Sequence, residues 1–224
     1  MKSDEVGPKA LAGISAARKV RGGMVVGLGT GSTAACAVEE LGRRVREEGL
    51  RIRGVPTSEM TARLARKVGV PLTTLERDPL LDIAIDGADQ VDRRLNLVKG
   101  GWGAHTREKI VATAARRFIV VADPAKLSPV LKMPVPVEVI PMAVAPVLRA
   151  LKKMGARGKI RAGTTTDQGN PVIDAAFGAI RRPEALDRRL SEMVGVVDHG
   201  IFPARMVSEV HVGTAGGVRV LRKR

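Results

Sequence analysis

Residues 82–109 read DIAIDGADQVDRRLNLVKGGWGAHTREK. With Leu81 in front, the run Leu81-Asp82-Ile83-Ala84-Ile85 is a short apolar segment bounded by turn residues, the pattern of a buried strand. It delivers Asp86 and Asp89 into the loop that follows. Lys99 then enters a glycine-rich turn, and Glu108 falls where the spacing predicts the first turn of a helix. Acids, a cation and backbone N–H groups in one loop system are the parts that proton transfer beside a carbonyl requires.

The segments on either side repeat this strand-then-loop pattern. Candidate strands are residues 24–28, 52–55, 81–86 and 118–122. Helical patterns cover residues 9–20, 33–47, 61–68 and 107–115. Alternation of this kind predicts a parallel sheet. Polar loops follow the strands at Gly29–Thr33, Thr57–Glu59, Asp86–Asp89 and Asp123–Lys126, and such loops converge on one crevice beyond the carboxyl ends of the strands. After the proline-rich residues 129–141 the order becomes β-α-β-β-α-β: strands at 136–140, 156–162, 172–175 and 194–197, helices at 145–154 and 183–192. That is a small ferredoxin-like unit. The tail from about Ile201, with strands at 206–212 and 218–221, is expected to return to the first sheet. The expected fold is therefore α/β: an open, mostly parallel Rossmann-like sheet with helices on both faces, plus a small ferredoxin-like α+β domain. The expected domains are 1–130 with 202–224, and 131–201.

Composition narrows the function classes. The net charge is +15 and the pI near 11, which raises nucleic acid as a partner. Against it, the basic residues are scattered as doublets such as Arg43-Arg44, Arg93-Arg94 and Arg181-Arg182. Aromatic residues are 2% of the chain with no tyrosine, too few for stacking platforms. A solvated basic surface that attracts a small anion fits better. The single cysteine, Cys36, allows no internal disulfide, and three dispersed histidines offer no metal-ligand spacing. No run reaches membrane-spanning length, and the N-terminal stretch MKSDEVGPKALAGIS has no secretory pattern. The expectation is a cytoplasmic protein with no metal, no membrane and no nucleic-acid partner.

Each candidate motif also has an ordinary structural reading. Gly27-Leu28-Gly29-Thr30-Gly31-Ser32-Thr33 lies between a strand and a helix, where glycines let the backbone approach a ligand and the helix start favours an anion. It lacks the lysine of a Walker loop. It also fails the dinucleotide pattern, since Ser32 stands where the third glycine belongs. The hydroxyls of Thr30, Ser32 and Thr33 suit a phosphate or sugar, or a plain tight turn with a helix cap. Asp86 and Asp89 face a crevice, or build an Asx turn. Lys99 and the amides of Gly100, Gly101 and Gly103 suit a developing oxyanion, or a flexible surface loop. Trp102 packs over such a site, or fills the core margin. With Thr106 as a helix cap, Glu108 competes with His105 for the role of general base, and residue chemistry alone does not separate them. Lys126, after the fourth strand, faces the same crevice; Lys9 has no special claim from its position.

These residues resemble ribose-5-phosphate isomerase A along nearly the whole chain. GLGTGSTA at 27–34, TSEMTARLARKVGVPL at 57–72, DGADQVD at 86–92 and KGGWGAHTREKIVA at 99–112 are similar to successive family segments. So are ADPAKL at 122–127, PVPVEVIP at 134–141, TDQGNPVID at 166–174 and VGVVDHGIF at 194–202. The resemblance implies cofactor-free interconversion of ribose 5-phosphate and ribulose 5-phosphate through a cis-enediolate. Glu108 then matches the general base, Asp86 the acid of ring opening and hydroxyl proton transfer, and Asp89 a substrate-positioning residue. Lys99 and the amides of residues 100–103 match the enediolate-stabilising part. Thr30, Gly31, Ser32 and Thr33 match the substrate-holding loop, and Lys9 and Lys126 phosphate-binding lysines. Departures are Trp102 where the family usually has a small residue, Gln90 in place of an acid, and Pro124-Ala125 in place of a Glu-Ser pair. The resemblance also implies a homodimer or homotetramer. A non-catalytic sugar-phosphate sensor of the same fold is the competing expectation.

Overall fold

The computed structural model describes residues 7–223; the reading of the N-terminal stretch falls partly on residues outside these. Along the chain the elements are α1 (Pro8–Ala17), β1 (Val25–Leu28), α2 (Ser32–Glu47), β2 (Arg53–Pro56), α3 (Glu59–Lys67) and β3 (Ile83–Gly87). Two short strands follow, β4 (Gln90–Val91) and β5 (Leu97–Val98), then α4 (His105–Ala114) and β6 (Phe118–Ala122). The remainder runs β7 (Val135–Val139), α5 (Val144–Lys153), β8 (Arg157–Thr165), β9 (Pro171–Ala176) and α6 (Pro183–Ser191). It closes with β10 (Val196–His199), β11 (Ile201–Phe202), β12 (Glu209–Thr214) and β13 (Gly217–Leu221).

Two compact units emerge. The first holds the residues up to Gly87, Arg107–Lys126 and the residues from Arg205; the second holds Ala88–Thr106 and Leu127–Ala204. In the first, a six-stranded sheet has the order β13-β12-β6-β3-β1-β2, parallel throughout except for the antiparallel edge strand β13. Strands β1 and β6 are buried along their whole length. Helices on both faces require this, and it explains why these strands read as unbroken apolar runs. Helix α2 buries Ala34, Ala37, Val38 and Leu41, a stripe at three- and four-residue spacing, while its charged face pairs Arg43 with Glu40 and Glu47. Leu28, Leu41 and Ile119 are sealed in this core, each worth about 1.5–3 kcal/mol relative to exposure.

In the second unit, β7-α5-β8-β9-α6-β10 builds an antiparallel sheet of order β10-β7-β9-β8, the ferredoxin-like unit expected. Val137, Leu151, Ile173 and Leu190 form its core. The unit also carries a three-stranded antiparallel sheet, β11-β5-β4. This sheet corrects the sequence reading in two ways. Residues 88–106 group with the second unit, because β5 pairs with Ile201–Phe202. The tail joins the parallel sheet only from Glu209, after a short 3-10 turn at Ala204–Met206. Two-residue strands are too short for any alternation to show. Helix α4 starts at His105, two residues earlier than its apolar pattern suggests.

Candidate active site

The five parallel strands of the sheet end at one edge, and the loops after β1, β2, β3 and β6 leave from it. The first touches the second and the third. Asp86, on β3 and almost fully buried, accepts at Oδ1 from the N–H groups of Thr30 (3.0 Å) and Gly87 (2.7 Å). Gly29 lies directly against this carboxylate, and a Cβ there would overlap Oδ1 and Cγ of Asp86. The glycine is needed for close approach by the neighbouring strand. The Thr30 hydroxyl is buried at the centre of a cluster, 2.7 Å from Thr57 Oγ1, 2.8 Å from Ser58 Oγ and 3.1 Å from Thr61 Oγ1. Thr61 Oγ1 in turn donates to the Gly29 carbonyl at 2.9 Å. Ser58 caps α3 by accepting from the Thr61 N–H, so the cluster fastens the glycine loop to a helix start.

Gly31, at φ +108°, begins α2, with Ser32 exposed and Thr33 buried. Lys9 Nζ donates to Ser32 Oγ at 3.0 Å, which brings the first turn of α1 beside this loop. Sequence position gave Lys9 no such place. Lys126 lies half-buried in the 3-10 turn Pro124–Lys126 that follows β6, at the same edge.

Glu108 reaches this edge from a helix. It stands three residues before Val111, on the same face of α4. That face lies on the sheet, since a Cβ at Gly27 of β1 would collide with Val111 Cγ1. Helix α4 leads into β6, the parallel neighbour of β3, so it runs back along the sheet and starts at the edge where β3 ends. Glu108 is 3% exposed and lies in the first turn, where the helix dipole favours a carboxylate. Thr106 is the second residue of this helix and no cap: its hydroxyl donates instead to the buried Glu138.

The second unit carries the rest of the candidates. Lys99 is 2% exposed, its backbone N–H donates to Gly200 O at 2.8 Å, and its Nζ stands 5.5 Å from the Phe202 ring centroid. An aromatic face at that distance steadies a cation. Gly100 has φ +104°, and a Cβ on it would press on the fully buried His105 ring. Asp89 Oδ2 accepts from the Gly101 N–H at 2.7 Å, and the Gly103 N–H donates to Gly100 O at 3.0 Å. Arg161 of β8 donates to the carbonyls of Gly100 (2.9 Å) and Gly101 (3.3 Å), and its Nε and Nη2 edge binds both carboxylate oxygens of Asp174 on β9. The glycine loop is thus held from two sides. Trp102 is 65% exposed and does not fill the core margin.

Thr57, Thr61, Phe202, Arg161 and Asp174 escaped sequence reasoning as supports of these residues. Nothing in the local pattern of β8 singles out Arg161 among its basic neighbours. Among the described residues no group of His, Cys, Asp or Glu is placed to hold a metal ion, and no helix is long and apolar enough to cross a membrane.

Comparison with known proteins gives the family. Residues 53–217 match the family described as Ribose 5-phosphate isomerase A (phosphoriboisomerase A). The chain is 53% identical to ribose-5-phosphate isomerase A of Methanosarcina acetivorans over 215 residues, 93% of this chain and 91% of that one. The solved ribose 5-phosphate isomerase A of Methanocaldococcus jannaschii superposes with TM-score 0.92 at 45% identity, covering 96% of this chain and 98% of the other. A D-ribose-5-phosphate isomerase solved in complex with phospho-erythronic acid superposes with TM-score 0.93 at 39% identity over the full length of both. Matched in sequence over most of its length and superposing on solved members, the chain belongs to the ribose-5-phosphate isomerase A family.

Proposed function

We propose that this protein interconverts D-ribose 5-phosphate and D-ribulose 5-phosphate, with Glu108 as the base that moves the proton between C2 and C1. The observation that carries the reading is the pair of buried carboxylates, Asp86 and Glu108, set at the C-terminal edge of the sheet in a chain of this family.

The chemistry follows from what each group can do. Open-chain ribose 5-phosphate loses its C2 proton to Glu108, and the electron pair moves to O1, giving a cis-enediolate. Return of the proton to C1 completes the ketose, so nothing is oxidised or reduced overall. Asp86 opens the ring and moves the proton between the O1 and O2 hydroxyls. Its hydrogen bonds from Thr30 and Gly87 fix the position of the carboxylate. Lys99 and the glycine-rich loop of residues 100–103 stabilise the enediolate oxygens, a charge that develops only along the reaction. Asp89 positions the substrate through the loop it holds. Thr30, Gly31, Ser32 and Thr33 form the substrate-holding loop, and Lys9 and Lys126 supply charge for the phosphate. The network around Thr30 supports a shaping role for its hydroxyl, and the Lys9–Ser32 contact supports an anion site at that loop. The protein needs no cofactor for these steps. We extend the reading to a cytoplasmic homodimer or homotetramer, which light scattering of the purified chain measures directly.

The test is turnover of ribose 5-phosphate in buffer containing EDTA, with Glu108→Gln alongside. An active wild type and a variant slowed by about 10²–10⁴-fold is the expected result, the usual contribution of a general base. An inactive wild type, or a Glu108→Gln variant with near-normal turnover, would overturn it.

A further inference from the structure

Arg161 lies outside every motif discussed above, yet it touches the loop that the proposed reaction depends on. It projects from β8, its side chain is 18% exposed, and it donates from two edges of its guanidinium. Nε and Nη2 bind Asp174 Oδ2 and Oδ1 at 3.0 and 2.5 Å, a bidentate pair in which the carboxylate fixes the plane of the fork. Nη1 then donates to the carbonyl oxygens of Gly100 and Gly101 at 2.9 and 3.3 Å. Gly100 O also accepts from the Gly103 N–H, so this one carbonyl is held by the turn and by the arginine together.

Peptide planarity turns these contacts into a statement about amides. Across a trans peptide, the carbonyl of one residue and the N–H of the next point in opposite directions. Fixing Gly100 O on Arg161 therefore aims the Gly101 N–H the other way, where Asp89 Oδ2 accepts it at 2.7 Å. Fixing Gly101 O on Arg161 likewise aims the Trp102 N–H away from the arginine. Among the described residues neither that N–H nor the Gly100 N–H donates to a protein acceptor, whereas those of Gly101 and Gly103 are both used inside the loop. Glycines at 100, 101 and 103 leave these peptides free to flip unless something holds them, since Gly100 and Gly103 already sit at positive φ.

We infer that Arg161, locked by Asp174, is a positioning residue that sets the peptide orientation of residues 100–102 and so presents the Trp102 N–H as an amide open to a developing oxyanion. The inference rests on the proposed isomerase reading for its chemical consequence. Its structural half stands apart from that reading, and the chain supplies a probe for it, because Trp102 is the single tryptophan.

The experiment uses the full-length wild type with Arg161→Met, Arg161→Lys and Asp174→Asn. Unfolding midpoints confirm that each variant is folded. Three quantities are read: Trp102 fluorescence anisotropy and acrylamide quenching, kcat and KM for ribose 5-phosphate, and affinity for phospho-erythronic acid. That probe's carboxylate imitates the charge and plane of an enediolate. Arg161→Met should free the loop, lowering Trp102 anisotropy and raising quenching. It should also lower kcat by about 10- to 100-fold, the usual cost of losing an orienting partner, with KM within about threefold. Phospho-erythronic acid binding should weaken in step with kcat. Arg161→Lys should not rescue, because a lysine is a point donor without the planar fork that joins a carboxylate to two carbonyls. Asp174→Asn should show the same signs to a smaller degree.

Unchanged anisotropy and kcat in a folded Arg161→Met would overturn the inference. So would a full rescue by lysine, which would make Arg161 a simple charge. A loss confined to KM would make it a substrate-binding group and also defeat the proposal. Should the wild type not turn over ribose 5-phosphate, the isomerase reading fails, and Trp102 anisotropy still decides whether Arg161 holds the loop.

Discussion

One methyl group at position 29 would meet the carboxylate of Asp86, and the backbone there has little room to yield, because Thr30 and Thr61 tie the loop on both sides of it. Gly29→Ala should lower the free energy of unfolding by about 1–3 kcal/mol, the usual cost of overpacking. It should also cut kcat by displacing Asp86, with urea denaturation and steady-state kinetics as the two measurements. Equal stability and turnover would show that the carboxylate has another place to go. Thr30 makes a similar point through chemistry. Its hydroxyl serves three others, so Thr30→Val leaves buried groups short of a partner. A loss of about 1–3 kcal/mol is expected for it, with most of it restored in Thr30→Ser. A valine variant as stable as wild type would refute the structural importance of the cluster.

Elements are joined by polar networks as well as by the core. On β12, His211 Nδ1 meets Ser15 Oγ of α1 at 2.8 Å, and His211 Nε2 meets Glu209 Oε1 at 3.2 Å. Glu209 also binds Arg117, just before β6, and Arg222, after β13. Burial holds the His211 imidazole below its ordinary pKa of 6.5, partly opposed by Glu209, while Lys19 and Arg222 push the same way as burial. Burial alone would raise Glu209, yet hydrogen bonds from His211 and Arg222 outweigh it and leave the carboxyl below 4.5. A depressed imidazole means that the unfolded chain binds the extra proton first. Its stabilisation is present above pH 6.5 and is lost as pH falls below that value. The depressed Glu209 adds a second loss in the same direction, beginning nearer pH 4.5. Urea unfolding at pH 7.5 and pH 5 should therefore show a drop in stability on acidification that His211→Gln reduces. A variant with the same drop as wild type would assign the acid sensitivity elsewhere.

For the molecule as a whole, the balance of 38 basic against 23 acidic side chains sets a positive field. Arg43, Arg44, Arg53, Arg107, Arg117, Arg161 and Arg222 are among those matched to carboxylates, and the net charge of +15 attracts an anionic sugar phosphate. Raising salt from about 0.1 to 1 M shortens the screening length from about 10 to 3 Å. The ratio kcat/KM for ribose 5-phosphate should then fall severalfold, chiefly through KM, whereas a flat response would leave the charge without a part in substrate capture. Local pattern carried much of this molecule. Unbroken apolar runs at Ile83–Ile85 and Phe118–Ala122 specify buried parallel strands, because a chain covered on both faces has no polar side to show. The motif spacing around Asp86, Lys99 and Glu108 marked the residues now proposed for the chemistry, and the β-α-β-β-α-β order marked the second unit. Tertiary structure alone decided the rest. It pairs Leu97–Val98 with Ile201–Phe202, turns the Thr30 hydroxyl onto Thr57, Ser58 and Thr61, sets Lys9 on Ser32, and lays Arg161 across the carbonyls of Gly100 and Gly101. Each of these contacts joins residues far apart along the chain, and periodicity and turn chemistry report only on neighbours.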